Sequence, residues 1–142
     1  MLSSSLSTAV DLGKALAHPA RLRILAMLSG GSLCVCQITE VLELAASTVS
    51  GHLLDLRRGG LVVENKQGKW VHYSLTGDRR ILDVVEPALS LFEQDERIRR
   101  DRKLLAELRR APLVSFCRTG LRSEVSLVGP GSAKRAARRA EQ

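Results

Sequence analysis

Two cysteines two positions apart, Cys34 and Cys36, and a third, Cys117, are the side chains of this 142-residue chain best suited to soft-ligand or thiol chemistry. Three is an odd number and a disulfide scaffold needs pairs, so reduced thiols are expected, leaving thiol chemistry and metal binding both open. Spacing limits what the close pair can do. In a regular helix successive residues turn about 100°, so positions i and i+2 point about 200° apart and cannot grip one ion; in extended backbone they share a side. A joint grip by Cys34 and Cys36 therefore needs backbone that is already unwound there or unwinds on binding. A helix N-terminus close by would favour the thiolate. The histidines are dispersed: His18 near a helix start, His52 between apolar positions and expected to hold a hydrogen bond in the interior, and His72 in a strand. An enzyme with a nucleophilic cysteine would need an anion-binding loop, and neither Cys-x5-Arg nor Cys-x-x-Cys occurs, so no catalytic residue is expected and no catalytic cofactor.

The elements that must position these residues follow from periodicity. Leu6, Val10, Leu12 and Leu16 predict a short amphipathic helix, and Pro19 opens a second, lined by Leu22, Ile24, Leu25 and Leu28 and ended by Gly30-Gly31. Ser32 is placed to cap a third helix, which holds Cys34, Cys36, Ile38 and Val41 and runs to about Leu42. A fourth spans Ser47 to Arg58, with Val49, Leu53 and Leu56 at i, i+4, i+7 and Gly59-Gly60 as its stop. Leu61 to Glu64 and Trp70 to Leu75 flank Lys66-Gln67-Gly68-Lys69 as a β-hairpin, with Trp70 packing against it. Ile81 to Leu108 reads as a long helical stretch kinked or restarted at Pro87, in which the Arg97 to Arg110 run is a solvated face. The sequence thus divides into a main domain over 1–95, a helical extension over 96–112 and a basic, disordered tail over 113–142.

Two short helices, a tight break and a hairpin make a mainly α fold with a small β-hairpin, a winged helix-turn-helix. The fourth helix then enters the major groove. Its small polar residues Ser47, Thr48, Ser50 and Gly51 face phosphates or base edges, Arg57 and Arg58 stand at its end, and Lys66, Gln67 and Lys69 sit in the wing. The net charge of +7 fits a nucleic-acid partner, but its distribution is uneven: residues 1–96 carry 9 Lys and Arg against 11 Asp and Glu, and residues 97–142 carry 13 against 4. DNA binding by the main domain therefore calls for a local patch and paired subunits. No apolar run reaches the roughly 18 residues of a membrane span, and no secretory signal opens the chain, so a cytoplasmic protein without a membrane partner is expected.

Four segments together resemble the ArsR/SmtB family of metal-responsive repressors, and more closely its arsenic-sensing branch. Ala15 to Leu25, with His18-Pro19, looks like the opening of the family's second helix. Leu33-Cys34-Val35-Cys36-Gln37-Ile38 resembles the Leu-Cys-Val-Cys box of arsenic sensors. Val49 to Leu53, with Leu56-Arg57 and Gly60 to Val62, is similar to the recognition helix, and Lys66 to Tyr73 to the wing. The resemblance covers about residues 6–95 and implies a homodimeric repressor of double-stranded operator DNA, released when As(III) or Sb(III) binds Cys34 and Cys36. A third thiolate, Cys117, solvent or a small thiol would complete the pyramidal ion. It also implies a dimer built by the first and last helices, for which Leu6, Val10, Ile81, Val85, Leu89 and Phe92 offer apolar faces. Relatives commonly carry Ser-Gln where this chain has Ala45-Ala46 and a long polar residue in place of Gly51, which leaves the helix cap and base readout open. Some arsenic sensors have a further cysteine where Thr39 stands. The zinc ligands of other relatives, Asp and His on the last helix, have no histidine counterpart between Ile81 and Leu108. The alternative within regulation is a repressor that senses oxidation of its thiols; a small thiol oxidoreductase is the distant one.

Overall fold

Most helices begin where a side chain accepts an orphan N–H. In the computed structural model, which describes residues 5–110, the Ser5 hydroxyl accepts from the Thr8 N–H and opens α1 (Leu6–Leu16). The His18 Nδ1 accepts from the Ala20 N–H at 3.0 Å and opens α2 (Pro19–Leu28). The third helix departs from expectation. Ser32 does not cap it; Leu33 and Cys34 form a short strand, β1 (Leu33–Cys34), and α3 (Val35–Leu42) starts with Cys34 as its N-cap. Both side chains are buried, and the strand pairs with the wing, which holds the backbone extended one residue before the helix.

Glu43 ends α3 in the left-handed region at φ 56°, a conformation that turns the chain sharply toward α4 (Ala46–Arg58). The hairpin comprises β2 (Val62–Gln67) and β3 (Trp70–Leu75), paired from Val62 opposite Leu75 to Gln67 opposite Trp70, with Gly68 at φ 62° in the turn. Because β1 lies along the free edge of β3, with Leu33 opposite Tyr73 and Cys34 opposite His72, the sheet has three antiparallel strands in the order β1-β3-β2 rather than the two of a hairpin.

The core lies between the helices and this sheet. Val49, Leu53 and Leu56, the stripe expected on α4, are fully buried, and Ile24, Leu25, Ile38, Val41 and Leu61 meet them. The restart expected at Pro87 falls later: α5 (Arg79–Ser90) runs through Pro87 for three more residues, and the next helix, α6 (Glu96–Arg109), begins after its cap Asp95. The hydrogen bond that proline removes falls in the last turn of α5, where the helix is ending in any case. α6 packs on α2 and α3. Only its outer face is the solvated arginine surface expected; Ile98, Asp101, Leu104, Leu105 and Leu108 point inward. Ile81 and Val85, expected at a dimer face, are buried within this core. No helix among the described residues is long and apolar enough to cross a membrane.

Candidate DNA-reading face and thiol site

α4 lies with one side against the core and the other in solvent. Ser47, Thr48, Ser50, Gly51 and Arg58 are exposed on that outer side, so the structure brings the small polar residues expected for base and phosphate contacts onto one surface. The wing tip adds exposed Lys66, Gln67 and Lys69. Arg57 differs from the lysines: it pairs with Glu64 on β2, to which the Tyr73 hydroxyl also donates at 3.3 Å. Burial, then the Glu64 charge, pushes the Tyr73 hydroxyl above its ordinary range. The N-terminus of α4 is bare. Ala45 stands at the N-cap with φ −60° and ψ 143° and supplies no capping bond, as the Ala45-Ala46 departure left open.

A contact that sequence reading did not find fixes this helix. Arg21 on α2 reaches α4 twice, through Nε to the His52 Nδ1 at 3.3 Å and through Nη2 to Asp55 Oδ2 at 3.1 Å. Its partners are about thirty residues away in sequence, and no local pattern announces them.

The thiol pair straddles the boundary between β1 and α3. Cys34 has extended backbone, φ −74° and ψ 148°, and is 3% exposed; Cys36 is half-buried in the first turn of α3. The Cys34 N–H donates to the Gln37 Oε1 at 3.0 Å, and the Cys34 sulfur faces the Gln37 N–H in return, a reciprocal cap that fastens the two ends of the first turn. Half of the unwinding that a shared ion demands is therefore present in the fold. The donor types, two soft sulfurs close in the chain, suit a thiophilic ion. Among the described residues no group of three or more His, Cys, Asp or Glu is arranged to hold a metal. Cys117 lies outside the described residues.

The sequence profile of the bacterial regulatory proteins of the arsR family matches residues 18–63, from His18 at the cap of α2 to Val63 in the wing. The arsenic resistance transcriptional regulator ArsR2 of Pseudomonas putida is 31% identical over 98 residues, 65% of this chain and 85% of that protein. The chain belongs to the arsR family. A second relative in that family, the arsenical resistance operon repressor of Escherichia coli, is 46% identical over 68 residues, 47% of this chain; the match spans 58% of that protein's length. Among solved structures, the homodimeric winged helix-turn-helix DNA-binding domain of a possible ArsR-family regulator from Mycobacterium bovis superposes with a TM-score of 0.57 at 26% identity, over 68% of this chain and 94% of that one. The arsR-family fold is thus a winged helix-turn-helix with α3 and α4 as its helix pair and β2-β3 as its wing. The relatives are transcriptional regulators, as expected for a chain in which no enzymatic motif was found.

Proposed function

We propose that this arsR-family chain is a homodimeric repressor that binds double-stranded operator DNA in the cytoplasm and leaves it when As(III) or Sb(III) binds Cys34 and Cys36. The observation that carries the reading is the place of the two sulfurs, one on extended backbone and one inside the first turn of α3. A bound trivalent ion holds two thiolates at one centre. For Cys36 to share that centre with Cys34, the first turn of α3 must open and the Gln37 cap on the Cys34 N–H must give way. α3 passes directly into α4 through residues 43–45, and the two helices pack on each other, so the strain arrives at the DNA-reading surface. A ligand shifts an equilibrium only by its differential affinity, so the opened, DNA-weak form is the one that holds the ion better.

On DNA, α4 lies in the major groove with Ser47, Thr48, Ser50 and Gly51 toward bases and phosphates, Arg57 and Arg58 on the backbone, and Lys66, Gln67 and Lys69 in the wing on flanking phosphates. Dimerisation uses α1, α5 and the turn that follows α5, where Leu6, Val10, Val84 and Leu91 stand exposed and Leu89 and Phe92 half-exposed. The third donor to the pyramidal ion is Cys117, solvent or a small thiol, and the Cys117→Ser variant distinguishes them.

The test is fluorescence anisotropy on the promoter duplex of the chain's own operon, with arsenite, antimonite and peroxide added in turn under controlled redox conditions. Release by arsenite or antimonite is expected. An anisotropy indifferent to both ions overturns the inducer assignment, and release by peroxide in their place supports the thiol redox alternative.

A further inference from the structure

Arg21 is the point where three helices meet. Besides its bonds to His52 and Asp55 on α4, its Nη1 donates to the Lys14 carbonyl of α1 at 2.8 Å. The His52 ring stands 4.4 Å from the His18 ring, centroid to centroid, and His18 caps α2 through its own Nδ1. Two imidazoles side by side invite a metal. Here, however, both Nδ1 atoms accept hydrogen bonds, so each neutral ring carries its proton on Nε2, the nitrogen that would have to bind the ion. The Arg21 contact requires a neutral His52 ring instead.

We propose that His18, Arg21, His52 and Asp55 form a clamp that positions α4 against α1 and α2, and that protonation of His52 loosens it, so that operator DNA is held less tightly in acid than at neutral pH. The inference rests on α4 being the DNA-reading helix. A protonated His52 would turn an Nδ1–H toward the Arg21 Nε–H, donor against donor, and set a cation between the guanidinium and the second imidazole. Burial first, then the electrostatic influence of His18 and Arg21, holds the His52 ring below its usual value of 6.5, and Asp55 works the other way. The other ionisable groups on elements packed against α4 are Asp11 and Lys14 of α1, Arg23 of α2, Cys36 and Glu40 of α3 with Glu43 at its C-cap, and Glu64 and Lys66 of β2. Lys14 meets the cluster through its carbonyl.

The sign follows from linkage. With the folded ring below 6.5, the unfolded or unclamped state binds more protons, so the clamp is whole above 6.5 and is lost as pH falls through 6.5 toward the lowered value. Simple charge attraction has the opposite sign, since protonated histidines draw DNA more strongly in acid.

The experiment is promoter-duplex binding at fixed ionic strength from about pH 8 to about pH 5.5, across the histidine range, for the parent and for His52→Asn. Asparagine offers an oxygen near the Nδ1 position and does not titrate. The parent should weaken in acid by up to about tenfold for each unit by which the ring is lowered, and His52→Asn should show no weakening in acid, whatever its affinity at neutral pH. A parent that binds as well or better in acid overturns the clamp, as does a variant that weakens in parallel. NMR of the parent without DNA decides the same question independently: the His52 ring and the α4 backbone amides should titrate together below 6.5. Amides of α4 that ignore the ring overturn the clamp. Absence of duplex binding at every pH would overturn the DNA reading and leave the NMR result to decide the clamp alone.

Discussion

Asp101 on α6 and Arg23 on α2 form a two-pronged ion pair, Nε to Oδ2 at 2.7 Å and Nη2 to Oδ1 at 2.8 Å, across 78 residues of sequence. The carboxylate is almost fully buried and the guanidinium partly so, and the Asp101 hydrogen bond lifts the Arg23 guanidinium above its usual range. The pair fastens the last described helix to the core beside the thiol-bearing α3.

Removing one partner strands the other. Asp101→Ala should cost about 3 kcal/mol of unfolding free energy, the magnitude typical of breaking a buried pair, and Asp101→Asn less, because one hydrogen bond can remain. Urea unfolding of both variants checks the order.

Gly51 inside α4 and Gly59 at its C-cap should respond in opposite directions to alanine. A Cβ on Gly59 would stand 2.9 Å from the Ala15 Cβ of α1, whereas one on Gly51 meets nothing within 4 Å. Gly59→Ala should destabilise by about 1–3 kcal/mol through overpacking, and Gly51→Ala should stabilise by about 0.5–1 kcal/mol through helix propensity. Thermal melts of the two variants distinguish them directly.

The bare start of α4 predicts a gain. Ala45 already has the extended dihedrals of an N-cap, so Ala45→Ser should add about 1 kcal/mol by accepting an orphan N–H. Denaturant midpoints at constant slope would show it.

The legible parts of this chain were those whose signal is local. His18-Pro19 announces α2, Val49, Leu53 and Leu56 the buried face of α4, and Gly68 the wing turn. What was missed depended on partners far away. Leu33 and Cys34 are strand only because β3 offers an open edge some forty residues on, and a cap at Ser32 was the reasonable local reading. Ile81 and Val85 have the pattern of an apolar face, but a pattern does not say whether that face meets its own core or a second subunit. Arg97 to Arg110 reads as a charged surface because the arginines outnumber the apolar residues that hold α6 down, and Asp101 looks exposed until Arg23 is beside it. Pro87 drew attention from the true break, which Asp95 marks as a cap. In the candidate site, the outward residues of α4 and the thiol box were legible; the Arg21 contacts were not.

Salt dependence should separate free from paired cations at the DNA face. Lys66→Ala and Lys69→Ala should each lower the slope of log affinity against log salt by about 1. Arg57→Ala should lower it by less, because Glu64 already shares its charge. Anisotropy titrations over a range of salt concentrations give the three slopes.

The central claim is that Cys34 and Cys36 act together to release DNA, and operator titration with arsenite under reducing conditions tests it most directly in Cys34→Ser, Cys36→Ser and Cys117→Ser. Serine keeps the size of the side chain and removes the soft donor. The account predicts that the first two variants bind the duplex near the parent level and no longer let go, while Cys117→Ser still releases at a higher arsenite concentration. Normal release from Cys34→Ser or Cys36→Ser would contradict it.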